Sequence, residues 1–158
     1  MTISKADIER RVETFVRVCR RQGMKVTHQR MEIFRELAGT AKHPDAETIY
    51  QHVRERVAGI SRDTVYRTLS FLESEGLIRR AEAPGGPARY DPNTEPHHHY
   101  VCTKCGLIKD FTSEALDRLP IPKSVEGFGR IESAQVQVRG VCASCTGRKT
   151  RRRRRPPA

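Results

Sequence analysis

At 158 residues, 36% apolar and 31% charged, the chain has room for one ordinary domain or two small ones with modest cores. No run approaches membrane-spanning length. The residues after Met1, among them Ser4, Lys5, Asp7, Glu9, Arg10 and Arg11, lack the apolar stretch of an export signal, so a cytoplasmic protein with no membrane partner is expected. The formal charge of +11 points to a polyanionic partner, but seven positive charges belong to Arg148, Lys149 and Arg151 to Arg155, and without them +4 remains. Residues 148–158 read as a disordered basic tail that either adds phosphate contacts without sequence preference or only solubilises the chain.

Apolar spacing predicts four helices over about 4–22, 27–38, 44–58 and 61–76. Gly23 and Gly39 close the first two, Thr27 and Ser61 cap the second and fourth, Pro44 falls in the first turn of the third, and Gly76 stops the fourth. Two short strands, 77–82 and 88–91, enclose the Pro84-Gly85-Gly86-Pro87 turn. Helices followed by a two-stranded ribbon describe a winged helix-turn-helix over residues 1–91, with the fourth helix as the reading element. Val65, Leu69 and Leu72 fall on its inner face, and Arg62, Tyr66 and Arg67 on the other. An exposed tyrosine between two arginines suits a thymine methyl flanked by phosphate or guanine. Tyr66 half-buried against the third helix is the alternative.

Residues 92–96, Pro-Asn-Thr-Glu-Pro, read as a linker. Beyond it, 97–147 carries short strands over 97–102, 107–111 and 131–139 and a short helix near 113–119. The fold class is therefore α/β with two domains, the second too small to be secure on its core alone. Cys102-x-x-Cys105 and Cys142-x-x-Cys145 would supply the missing stability by closing on one Zn2+ in an all-sulfur cage with no open position. A reactive dithiol is the alternative for either pair, whereas Cys19, between Val18 and Arg20 in the first helix, reads as a small core hydrophobe.

A second, harder donor set stands beside the cysteines. In a strand over 97–102, His97 and His99 share one face while His98 and Cys102 share the other, so two metals would lie on opposite sides of one strand. Asp91 and Asp110 bring carboxylates, and His43 is a candidate fifth ligand, although a lone histidine before Pro44 is more often an exposed polar residue. Nitrogen and carboxylate donors of this kind suit Fe2+, Mn2+ or Zn2+.

Taken together, Thr27-His28-Gln29-Arg30, His43-Pro44, Ile49-Tyr50, Ile60-Ser61, Thr64 to Leu69, Arg89-Tyr90-Asp91, His97-His98-His99, Cys102 to Gly106, Asp110-Phe111 and Cys142 to Cys145 resemble the ferric uptake regulator family of metal-dependent repressors. The resemblance runs to about residue 147. It implies an N-terminal winged helix, a C-terminal dimerisation domain and a homodimer bound to pseudo-palindromic double-stranded operators. It further implies structural Zn2+ on Cys102, Cys105, Cys142 and Cys145, regulatory Fe2+ or Mn2+ on His43, Asp91, His97, His99 and Asp110, and DNA contacts from Arg62, Thr64, Tyr66 and Arg67. Asp at positions 91 and 110 matches the peroxide-sensing members, in which iron-dependent oxidation of a ligand histidine, here His43 or His97, inactivates the repressor. An iron-responsive repressor of uptake genes is the alternative within the family. No histidine lies between residues 111 and 141, so the additional metal site of many iron sensors looks incomplete, and the arginine-rich tail falls outside the family pattern.

Outside that family, a metal-dependent hydrolase would need an open metal position, a general base and a cleft, and no residue stands out for them. A nonspecific nucleic-acid coating protein would bind without regard to metal. The expectation is a protein that is not an enzyme and has no small-molecule substrate.

Overall fold

The computed structural model describes residues 3–81 and 85–147; the basic tail and residues 82–84, where the first wing strand was expected to end and the turn to begin, lie outside the described residues. α1 (Lys5–Arg21) begins at Ser4, whose hydroxyl accepts the Asp7 N–H. α2 (His28–Ala38) is capped by Thr27 and ends at Gly39, and α4 (Arg62–Ser74) is capped by Ser61. α3 (Ala46–Arg54) is shorter than predicted at both ends. Its cap is Asp45, which accepts from Thr48 N at 2.7 Å, so Pro44 stays outside the helix and pairs instead with the wing.

The helices close on one core in which Phe15 stacks on Phe34 at 4.7 Å and Ile33, Leu37, Ile49, Val65, Leu69 and Leu72 are buried. Cys19 is part of that core. Each such side chain contributes about 1.5–3 kcal/mol by leaving water. Leu77 and Ile78, predicted in a strand, belong to this core too, which leaves β1 (Arg79–Ala81) short. β1 pairs antiparallel with β2 (Arg89–Asp91), opposing Arg79 to Asp91.

The remaining elements are β3 (His98–Cys102), β4 (Ile108–Phe111), α5 (Glu114–Asp117), α6 (Lys123–Glu126) and β5 (Gln137–Gly140). They form a sheet in the order β4-β3-β5, with β4 antiparallel and β5 parallel to the central strand. The strand predicted over 131–139 is thus confined to its end: pairing begins at His99↔Gln137, and the alternating Val138 faces solvent at 43% exposure. α6 was not foreseen. Burial here is sparse. Among the described residues the second apolar cluster holds Ala81, Val101 and Ile108, and Ala81 comes from the wing.

Candidate metal centres and DNA-binding face

Local backbone chemistry carries His43 into the interior. Pro44 O accepts from Tyr90 N at 3.0 Å, Asp45 bridges Arg89, and Arg89 Nη1 donates to His43 O at 3.4 Å. The loop before α3 is thereby fastened to β2, and His43 is held at φ 49. Left-handed backbone is uncommon for a side chain of this size and costs on the order of 1 kcal/mol, which the surrounding contacts must outweigh. The residue before Pro44 is therefore not an exposed polar one: it is 1% exposed.

Asp91 terminates the same strand. Its Oδ1 accepts from Asn93 N at 2.8 Å, while Oδ2 faces His97 Nε2 at 2.8 Å, His99 Nε2 at 3.3 Å and His43 Nε2 at 3.5 Å. Cross-strand pairing of His99 with Asp110 brings in the second carboxylate, whose Oδ1 lies 2.8 Å from His43 Nε2 and 3.5 Å from His99 Nε2. One donor atom from each of the five residues falls within 4.8 Å of every other. Ligand atoms bound at about 2.1 Å around a single ion are themselves about 3 Å apart.

Proton positions follow from the partners. His97 Nδ1 donates to Glu95 O at 2.7 Å, which leaves Nε2 as the ring nitrogen facing the other donors. That nitrogen lies 2.8 Å from His99 Nε2. His43 Nε2 is close to Asp110, yet the carboxylate is off the N–H axis and neither ring nitrogen makes an aligned hydrogen bond. Burial disfavours charge on His43, but the adjoining Asp110 and Asp91 carboxylates override it and hold the imidazolium up to a pKa of about 9. Burial likewise works against charge on Asp91 and Asp110; facing imidazoles, chiefly His43, pull both below the usual carboxylate range. The cluster is a convergent set of hard and borderline donors, and it fits Fe2+ or Mn2+.

The cysteines meet at the other end of β3. Parallel pairing of Cys102 with Gly140 delivers Cys142 beside the first knuckle, where Cys142 N donates to Cys102 Sγ at 3.3 Å. Gly140 has no Cβ because one would stand 3.0 Å from the Tyr100 hydroxyl and 3.2 Å from the ring. Cys105 and Cys142 sulfurs are 3.7 Å apart, with all four within 4.8 Å. Zn–S bonds of about 2.3 Å in a tetrahedron place sulfurs about 3.8 Å apart, the spacing that Cys105 and Cys142 already have, so the four sulfurs fit a zinc cage. Amide N–H groups of Cys142 and Cys105 favour the Cys102 thiolate and lower its pKa to about 6, whereas the neighbouring Cys105 and Cys142 sulfurs push Cys145 to about 12. A lone reactive dithiol is not what the fold builds.

On α4, Tyr66 is exposed rather than buried against α3. Arg67 pairs loosely with Asp63 at 3.5 Å, and Thr64 Oγ1 lies 2.9 Å from the Ser61 hydroxyl. Arg62 is engaged: Nε and Nη2 each donate to Glu47 at 2.8 Å, and its guanidinium lies 4.4 Å above the Tyr50 ring. Glu47 has no spacing signal that would have picked it out. The same holds for Gln135, whose amide donates to His97 O at 3.0 Å and lies 3.3 Å from His99 Nδ1. His98 points away from the five donors, tilted against Phe111, with Nδ1 accepting from Val136 N and Nε2 3.1 Å from Asp117.

No helix among the described residues is long and apolar enough to cross a membrane. The model of the ferric uptake regulator family matches residues 21–138. The peroxide-responsive repressor PerR of Staphylococcus epidermidis is 30% identical over 92% of this chain and 97% of its own length. A zinc-bound manganese uptake regulator is 32% identical with a TM-score of 0.64, over 82% of this chain and 98% of that one. The ferric uptake regulator Fur of Helicobacter pylori superimposes with a TM-score of 0.74 at 24% identity, over 95% of this chain and 99% of that one, a likeness of fold. With winged helix, small sheet and both donor clusters in place, the chain belongs to the ferric uptake regulator family of metal-dependent, DNA-binding transcription regulators.

Proposed function

We propose that the chain is a metal-dependent repressor that releases DNA in response to hydrogen peroxide. In this reading residues 1–91 read the operator, 92–96 link, and 97–147 bind metal and pair two copies; Zn2+ on Cys102, Cys105, Cys142 and Cys145 is structural. Fe2+ or Mn2+ occupies His43, Asp91, His97, His99 and Asp110. The observation that carries it is the origin of those five donors: the α3 loop, the end of the wing, β3 and β4 all contribute to one point. An ion there ties the helical unit to the sheet and fixes how Arg62, Thr64, Tyr66 and Arg67 are presented to a pseudo-palindromic operator. For occupancy to switch operator binding over about two decades, the ion must favour the binding-competent arrangement by about 3 kcal/mol.

Bound Fe2+ would supply the electrons that reduce hydrogen peroxide. The residues do the rest. His43 and His97 are the rings that the resemblance to the peroxide-sensing members marks for oxidation, and a modified ring no longer fits the donor geometry. Two aspartates as the carboxylates, together with the likeness to PerR, support peroxide over iron availability as the signal.

Peptide masses of Fe2+-loaded protein after brief exposure to stoichiometric peroxide, with a Mn2+-loaded control, test this. The expected result is one added oxygen on the peptide holding His97 or His43, only with iron. Unmodified histidines and intact metal-dependent DNA binding would make the chain a sensor of iron or manganese supply.

A further inference from the structure

The five-donor cluster is not sealed. A cavity of about 170 Å3 has His43, Asp91 and Asp110 on one wall and Ile3, Asp7 and Arg11 on the other. That is room for about five waters, enough for a divalent cation shedding its hydration shell. A larger hollow of about 510 Å3 shares Asp7, Arg11, Pro92 and Asn93 with it and adjoins it along α1. Exposure within the cluster is uneven: the Asp110 side chain is 28% exposed, against 1% for His43 and 2% for Asp91. Solvent therefore meets the donors from the Asp110 side.

We propose that this cavity is the portal through which the regulatory cation enters and leaves, with the first turns of α1 as its movable wall. The inference rests on the metal-site reading above. Asp110 is the first donor a hydrated cation meets, and the buried imidazoles replace its remaining waters further in. The outer wall is fastened by small contacts: the Ser4 cap on Asp7, the Asp7–Arg10 pair, and Arg11 Nη1 donating to Ala38 O at 3.2 Å. Helix ends secured this way open locally far more often than the core unfolds, so exchange is set by opening of α1 and not by unfolding of the site. Ala41, on the portal rim and outside the donor set, offers a place to narrow it.

Mn2+-loaded full-length protein mixed with an excess of a chromogenic chelator in a stopped-flow instrument, with an equilibrium Mn2+ titration alongside, tests the portal. Ala41→Leu is expected to slow release at least threefold and Ile3→Ala to speed it at least threefold. The dissociation constant should stay within twofold of wild type in both, because a portal changes entry and exit together. Release at the wild-type rate in both variants, or release that shifts in proportion to the dissociation constant, would overturn the proposal. Failure of the wild type to take up Mn2+ in a manner abolished by His97→Ala would instead remove the metal-site reading, and the portal with it.

Discussion

Arg62 lays two guanidinium nitrogens on the two carboxylate oxygens of Glu47, each at 2.8 Å, and so α4 is braced by α3 in the free protein. The Glu47 carboxyl is pulled down to about 2, chiefly by the Arg62 hydrogen bond. Both side chains are about half exposed, so water and salt screen the pair and a phosphate can displace the carboxylate. Glu47→Gln should therefore raise operator affinity about threefold to tenfold and steepen the salt dependence by about one unit of slope. Fluorescence anisotropy across a salt series measures both. An unchanged slope with weaker binding would mean that Arg62 serves only to brace α3 against α4.

Metal affinity should depend on pH in a direction fixed by His43. Its imidazolium persists up to a pKa of about 9 in the metal-free cluster, above the usual 6.5, so a cation must displace that proton. Mn2+ affinity is expected to rise between pH 7 and 9. The stability of the metal-free protein runs the other way: the contribution of His43, at most about 3 kcal/mol, is complete below the unfolded value and is lost as pH climbs through the folded one. Calorimetric titrations and melting curves at three pH values, with His43→Ala as the control, check the opposed trends. Parallel trends would contradict the assignment.

Zinc should account for much of the stability of the sheet. The second apolar cluster is too small to hold it, and a closed thiolate cage contributes on the order of 10 kcal/mol. Cys105→Ser is expected to cost at least about 3 kcal/mol and to separate melting of the sheet from melting of the helical core. Zinc content and differential scanning calorimetry give the answer; one unshifted transition would count against the cage.

Gly140→Ala probes the junction between the knuckles. The new Cβ would press on Tyr100 at 3.0 Å, in a strand whose register places Cys142. A loss of about 1–3 kcal/mol is expected, with recovery of part of it in the Gly140→Ala, Tyr100→Leu double variant. Thermal melts of the three proteins decide whether the contact is responsible.

Much of the fold was legible because its signals are local. Thr27 and Ser61 are caps wherever the chain puts them, Gly39 ends α2, and the two-residue repeat of His97 and His99 follows from the pleat. Local signals also misled: Pro44 is a good first-turn residue, but Asp45 makes the stronger cap, and Pro44 O is claimed by Tyr90. The strand expected over 131–139 is paired only from Gln137, because an edge strand pairs only as far as its parallel partner allows. The five candidate donors could be named from residue type, spacing and resemblance. The grip of Gln135 on His97 and His99, and that of Glu47 on Arg62, depend on how distant segments cross and leave no trace in spacing.

β3 carries His99 near one end and Cys102 at the other, and its pairing with β5 is closed by the two cysteine knuckles. The sulfur cage is therefore the footing on which the sensor stands. On the function proposed above, a cell that lost zinc from this protein would lose its response to the second metal as well, with all five of that metal's candidate ligands intact, and the two deficiencies would look alike from the promoter.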